Sequence, residues 1–191
     1  MIDSTYTVKP RLMKKFTPLP MDKYQVQITD INLVKQANPF KGGEEEDRLN
    51  IEFTVLDNEK TMEVVNEDGK KEIEGVRGRR LWKKIAPSIS PSGKTSKASW
   101  LYKLLCVVEK KELKEEDLTE FSPITLIGQQ IIVMVEVAGE WNNILGFQSA
   151  EKDLEPVQNA DERAKEEQIS GKLVEEVEDK ELDELFKEEK K

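Results

Sequence analysis

The sequence predicts a mainly β fold: a small barrel of five strands with one helix between the third and fourth strands, followed by an acidic tail. Short segments of alternating hydrophobicity recur through the first 150 residues, and one helical stripe interrupts them. Beyond residue 151 the strand pattern ends and Glu dominates, which is typical of a disordered or partly helical segment. We therefore divide the chain into an extended basic arm (1–20), a β domain (21–151) and an acidic tail (152–191).

The arm contains three prolines and four cations, a composition that disfavours a helix. The first strand follows over residues 24–34, where the apolar positions alternate and then change parity. These positions are Tyr24, Val26 and Ile28, then Ile31 and Leu33. One extra residue near Thr29 and Asp30 would keep both halves facing inward, so we expect a β-bulge there.

A loop over residues 35–47 carries Phe40 between two lysines, either as a base-stacking ring or folded back under the loop. The second strand (49–55) is the clearest of all. Its inward residues are Leu49, Ile51, Phe53 and Val55, and its outward residues are Asn50, Glu52 and Thr54. Residues 57–75 are polar, and Asp68 followed by Gly69 predicts a hairpin turn.

The third strand (79–86) places Leu81 and Ile85 on one face and Arg80, Trp82 and Lys84 on the other. A loop rich in Ser, Gly and Pro leads to a helix that we expect to begin near Lys97, capped by Thr95 or Ser96. The apolar stripe of this helix is Leu101, Leu104, Leu105 and Val108.

Two further strands, over residues 129–137 and 141–148, complete the domain. Five short strands with a helix between the third and fourth is the layout of the OB-fold, a partly open Greek-key barrel. That fold binds oligonucleotides on its second and third strands and the flanking loops. The third strand here is the one that carries cations and Trp82.

Residues 75–108 contain eight Lys and Arg residues but no Asp or Glu, in a chain of formal net charge -9. Trp82, Trp100 and Tyr102 lie among these cations. Cations interleaved with rings favour single-stranded nucleic acid, which offers phosphates and flat bases. The alternative is that they only balance acidic neighbours. The acidity belongs to the tail, because residues 151–191 carry -8 of the net charge.

The chain has no histidine and one cysteine, Cys106. This excludes Cys/His zinc sites and triads that need a histidine, and we expect neither cofactor nor metal. Residues 88–95 resemble a P-loop, but Ser88 replaces the first glycine and Pro91 removes a backbone donor. With no secretory signal and no membrane-length apolar run, we expect a cytoplasmic protein, in the host cytoplasm if it is phage-encoded.

Three segments carry a family resemblance: Gly-Arg-Arg-Leu-Trp at 78–82, Trp-Leu-Tyr-Lys-Leu-Leu at 100–105, and Phe121 followed by Leu-Ile-Gly-Gln at 126–129. Over about residues 20–150 the chain resembles phage and prokaryotic single-stranded DNA-binding proteins. The resemblance implies a role in replication or recombination and an acidic tail that recruits partner proteins. In such tails a hydrophobic tip closes the acidic run. Here Leu182, Leu185 and Phe186 are followed by lysines.

We therefore expect largely sequence-independent, non-catalytic binding of single-stranded DNA. The residues assigned to phosphates are Arg79, Arg80, Lys83, Lys84, Lys94 and Lys97. Trp82 is assigned to a base, with Phe40 and Trp141 as further candidates. The tail is expected to compete with DNA, so that deleting residues 152–191 tightens binding. The rivals are a protein-interaction or structural β-barrel without nucleic acid and a carboxylate enzyme that uses Glu136 or Asp57 with Mg²⁺.

Overall fold

A computed structural model describes residues 17–38, 42–66, 69–91, 97–118 and 121–165. These residues form a mainly β fold of seven strands and the helix α1. In chain order the elements are β1 (Asp22–Ala37), β2 (Glu45–Val55), β3 (Thr61–Val65), β4 (Lys71–Gly75), β5 (Arg80–Ile85), α1 (Trp100–Val108), β6 (Gln130–Ala138) and β7 (Trp141–Ser149). Short 3-10 turns, Glu115–Asp117 and Pro123–Leu126, lie between α1 and β6.

Five strands form one antiparallel sheet in the order β5-β2-β1-β6-β7, and β3 and β4 form a separate hairpin. The hairpin predicted at Asp68 and Gly69 is confirmed by this pairing, although Asp68 itself lies outside the described residues. Within the described ranges no backbone ladder joins the edge strands β5 and β7. The described strands therefore form an open antiparallel sheet that backbone hydrogen bonds do not close into a barrel, and the Lys83 side chain links its two edges by donating to the Ile144 carbonyl.

Strand β1 is long enough to serve both halves of the sheet. It pairs with β6 over its first residues and with β2 along most of its length. The register with β2 shifts between Ile28 and Asp30, which confirms the predicted bulge. Thr29 is fully buried there, whereas Leu33, which we expected to face inward, is exposed. The inward-facing part of β1 thus ends soon after the bulge.

The core lies on the inner face of the sheet. Strand β2 buries all four predicted inward residues, and the other strands contribute residues such as Val26, Ile28, Leu81 and Val133. The expectation that Glu52 and Thr54 face solvent is wrong, since both are buried. Thr29 of β1 contacts Thr54, and Arg163 contacts Glu52. The alternation within β2 does not reveal either contact.

Helix α1 covers one end of the core with Leu101, Leu104 and Leu105. Its N-cap is Ser99, whose side-chain oxygen accepts a hydrogen bond from the Tyr102 backbone N–H. The predicted start near Lys97 is therefore a few residues early. A serine immediately before the helix already provides the required acceptor.

Residues 152–163, here called the strap, lie across the outer face of the sheet. Glutamine side chains of β1 and β6 form reciprocal hydrogen bonds with its backbone. The Gln130 amide bonds both backbone groups of Leu154 at 2.8 Å, and Gln27 bonds those of Val157 at 2.9 and 3.0 Å. The sequence assigned these residues to the tail, but these bonds hold them against the sheet.

Across the described ranges, we find no helix that combines the length and the apolar character of a membrane-spanning segment.

Candidate nucleic-acid interface

The outer row of β5 consists of Arg80, Trp82 and Lys84. A strand turns successive side chains to opposite faces, so the burial of Leu81 and Ile85 in the core leaves this row outside. Trp82 is 49% exposed. A large indole that stays half in solvent between two cations offers a stacking surface with positive charge on both sides.

The neighbouring strands extend this row into a polar face. In the antiparallel register, Arg80 lies opposite Thr54, Trp82 opposite Glu52, and Lys84 opposite Asn50. Strand β1 adds Gln27 beside Thr54, Asp30 beside Glu52 and Asn32 beside Asn50. Asn32 is exposed and Asn50 is half-buried, so their amides can bond to a ligand without carrying charge, whereas Thr54 and Gln27 are buried and Gln27 is bonded to the strap.

Glu52 places a carboxylate in this face, directly opposite Trp82. It is 7% exposed and heavily partnered. The Thr29 hydroxyl donates to its Oε1 at 2.7 Å, Arg163 Nη2 donates to the same oxygen at 2.6 Å, and Arg80 Nη1 lies 3.7 Å from Oε2. The sequence reasoning missed Arg163, since no local signal connects a tail residue with β2.

Lys83, which the sequence assigned to a phosphate, lies on the other face of β5. Its ammonium donates to the Ile144 carbonyl of β7 at 2.6 Å and lies 3.9 Å from the ring centroid of Trp100. Burial lowers the pKa of the Lys83 ammonium. The assignment fails because Lys83 has the same strand parity as Leu81 and Ile85, so it bridges the open edges of the sheet instead of facing a ligand.

Arg79 is also occupied by the protein. One end of its guanidinium donates to the Thr17 carbonyl at 3.1 Å, and the other forms an ion pair with Glu74 at 2.9 Å. These contacts hold residues 17–19 over the start of β5. Leu19 in turn exchanges two 2.8 Å hydrogen bonds with the Asn142 amide of β7. Arg79 therefore helps to cover the gap between the two edge strands.

A small cavity of about 160 Å³ lies where these contacts meet the outer row, lined by Thr17, Leu19, Arg79, Arg80, Trp82 and Asn142. Trp141, the residue before Asn142, is 69% exposed at the start of β7. The cavity wall thus connects Trp82 with the strand that begins at Trp141. Two of the three predicted rings, Trp82 and Trp141, are exposed.

The remaining predicted residues divide in two groups. Lys97 is described and exposed, just before α1. Phe40 and Lys94 lie outside the described residues, as do Leu182, Leu185 and Phe186. The candidate surface that the structure describes therefore consists of Arg80, Trp82, Lys84 and the half-buried Asn50 of β2, and Trp141 and Lys97 are further exposed candidates.

Trp100 shows what an indole looks like when the protein itself uses it. Its ring packs edge-on against Phe147 at 5.4 Å, between Lys83 and Lys103. Beside it a groove of about 550 Å³ separates α1 from β7. Two lysines and Phe147 of the same chain already contact the Trp100 ring, so it is not a candidate for base stacking.

The chain was also compared with known proteins by sequence and by structure. No protein-family model, no curated protein and no solved structure matches it.

Proposed function

We propose that this protein binds single-stranded DNA, without catalysis and largely without sequence preference, on the outer face of β5 and β2. The observation that carries the proposal is the half-exposed Trp82 between Arg80 and Lys84. Aromatic rings bind any base through its flat face, and cations beside them bind the backbone phosphates. Neither interaction reads a base edge, which accounts for the lack of sequence preference.

The architecture supports an OB-fold as the scaffold of this surface. The sheet order β5-β2-β1-β6-β7, the bulged β1 shared by both halves, and a helix between β5 and β6 all agree with it. In that fold, oligonucleotides bind on the second and third strands, with loops 1–2 and 4–5 on either side. The corresponding elements here are β2, β5, the connection between β1 and β2, and the turn at 139–140.

The way the edges β5 and β7 meet also supports a partly open barrel. Lys83 spans the gap with its bond to the Ile144 carbonyl, and Leu19 bonds Asn142 nearby. These contacts leave the outer row of β5 uncovered. A barrel held together in this way keeps its inner face dry while Arg80, Trp82 and Lys84 remain accessible.

The same proposal extends to cellular role. A protein of this kind protects or presents single strands during replication or recombination, in a phage-infected cell if the gene is viral. Leu182, Leu185 and Phe186 in the acidic tail are the residues proposed to recruit partner proteins. The tail beyond residue 165 is proposed to compete with DNA through its negative charge.

The first test is a fluorescence-anisotropy titration with a labelled oligo-dT of about 15 nucleotides and a duplex of the same length. Measurements at about 50 mM and about 200 mM salt give the number of phosphate contacts. We expect tighter binding of the single strand and a log–log salt slope of about -2, from Arg80, Lys84 and Lys97 at ~0.7 each. Absence of salt-dependent binding would favour the protein-interaction alternative.

A polyanion without bases supplies the control. Heparin offers charge but no ring to stack on Trp82. Heparin and unlabelled oligo-dT are each used to displace the labelled strand and are compared at equal concentration of negative charge. If both compete equally well, the surface binds only charge and Trp82 does not stack. We expect oligo-dT to bind more tightly, because stacking contributes ~1–3 kcal/mol per base.

A further inference from the structure

The centre of the proposed surface contains two carboxylates, Glu52 and its β1 partner Asp30, which is unexpected for a phosphate-binding face. Glu52 lies directly opposite Trp82 in the β2–β5 register. A bare carboxylate in this position would repel the phosphates on either side of a stacked base. The surface can bind a base on Trp82 and phosphates beside it only if the charge of Glu52 is neutralised from within the protein.

Two arginines are close enough to neutralise it, and they differ in position. Arg163 donates to Oε1 at 2.6 Å and is 21% exposed, whereas Arg80 lies 3.7 Å from Oε2 and is 46% exposed. The nearer and more buried arginine belongs to the strap. Because Arg163 satisfies Glu52, the looser Arg80 keeps donors available for a ligand.

The strap is built to hold Arg163 in this position. Residues 160–165 are helical, and Asn159 and Glu162 form a reciprocal capping box with two 3.0 Å hydrogen bonds. The second donor group of Arg163, Nη1, bonds the Gln158 carbonyl at 3.0 Å. Upstream, the glutamine bonds to Leu154 and Val157 fix the approach of the chain. The guanidinium is therefore oriented from both ends.

We infer that Arg163 is a positioning residue of the binding surface, which masks the Glu52 carboxylate and leaves Arg80 free to bind phosphate. The inference rests on the proposed function. It also divides the acidic tail into two parts of opposite effect: the strap supports ligand binding, and only the residues beyond it compete. Deletion from residue 152 onward removes both parts together, so full-length variants are needed to separate them.

The test is a double-mutant cycle in the full chain, with labelled oligo-dT of about 15 nucleotides as the probe. Arg163→Gln unmasks the carboxylate, and we expect binding to weaken roughly fivefold. Glu52→Gln removes the charge, and we expect affinity equal to or above that of the parent. In the Glu52→Gln background, Arg163→Gln should then change affinity by less than about twofold.

Lys165→Gln is the matched control, because it removes one positive charge from the same helical turn at an exposed position. We expect a change of less than about twofold. Thermal melts of all variants show whether each remains folded. In the double variant Glu52→Gln/Arg163→Gln the two new amides can still hydrogen-bond to each other, so the fold should be retained.

The outcomes distinguish this inference from the proposed function. Equal weakening by Arg163→Gln in both backgrounds would mean that Arg163 touches the ligand directly, and would overturn the masking role. No weakening in the parent background would overturn it as well. A parent protein that binds no oligonucleotide would overturn the proposed function and this inference together.

Discussion

Trp82 and Trp100 are both indoles with lysines nearby in a carboxylate-free stretch of the chain, yet their surroundings in the fold are opposite. Trp82 lies on the outer face of β5, half in solvent, with Arg80 and Lys84 on the same row. Trp100 packs against Phe147, with Lys83 and Lys103 over its ring. One cation–indole group is open to a ligand, and the other is complete within the protein.

The difference arises from strand parity at two adjacent lysines. Lys83 points inward with the core residues of β5 and reaches Ile144 and Trp100. Lys84 points outward beside Trp82 and is exposed. A run of basic and aromatic residues thus serves two purposes at once: one parity joins the sheet edges, and the other forms the candidate interface.

The largest effect expected from this comparison is a loss of stability when the Trp100 ring is removed. Trp100→Ala removes the ring from Phe147 and Lys83, and we expect the free energy of unfolding to fall by about 2–3 kcal/mol. Oligonucleotide affinity of the folded fraction should stay the same. Urea denaturation followed by circular dichroism, with anisotropy at matched folded concentration, measures both. Lost affinity with unchanged stability would instead place Trp100 in the interface.

The adjacent lysines provide a matched pair of variants. Lys83→Ala removes a hydrogen bond to a backbone carbonyl and a cation–π contact, so we expect the free energy of unfolding to fall by about 1 kcal/mol. Lys84→Ala should change it by less than about 0.5 kcal/mol, because Lys84 is an exposed side chain. Urea midpoints of the two variants compare them directly. The reverse order would contradict the assignment of the two faces.

The outward lysines are expected to affect DNA binding and its salt dependence. Lys84→Ala and Lys97→Ala should each reduce the log–log salt slope by about 0.7, because each removes one phosphate contact. Anisotropy titrations at several salt concentrations give the slopes. Lys83→Ala is the control and should leave the slope at its parental value. If the slope changes with Lys83→Ala and not with Lys84→Ala, the phosphates bind on the Lys83 side of β5, which would contradict the proposed surface.

The smallest effect is on the pH dependence of stability. Burial lowers the pKa of Lys83 below its ordinary 10.5. At a pH between the lowered pKa of the folded protein and 10.5, the unfolded chain binds more protons at Lys83 than the folded protein does. The contribution of Lys83 therefore makes stability rise as the pH increases through that window. Urea denaturation at several pH values up to 10.5 should show this contribution in the parent and not in Lys83→Ala. Identical pH profiles would mean that Lys83 is fully solvated.

Sequence reasoning predicted the features that depend on local periodicity. The alternation of β2 identified its core residues, and the phase change in β1 located the bulge between Ile28 and Asp30. The outer row of β5 followed from the same rule. That rule also placed Lys83 on the inner face with Leu81, although the charge of Lys83 led us to assign it to a phosphate.

The features that could not be predicted depend on contacts between distant parts of the chain. Glu52 is buried because Arg163 of the strap and Thr29 of the bulge meet over it. Arg79 is occupied because the chain at Thr17 returns to the start of β5. A residue's own neighbours in the sequence say nothing about a partner 23, 62 or 111 positions away, so the polar covering of the sheet had no sequence signal.

The most direct test of the account is the affinity of Trp82→Ala for labelled oligo-dT, measured by anisotropy beside Trp82→Phe. A stacking ring contributes ~1–3 kcal/mol, so we expect Trp82→Ala to bind about 5-fold to 150-fold more weakly, with its urea midpoint unchanged. Trp82→Phe retains a flat ring and should recover most of the affinity. Parental affinity in Trp82→Ala would contradict the claim that the outer face of β5 binds single-stranded DNA.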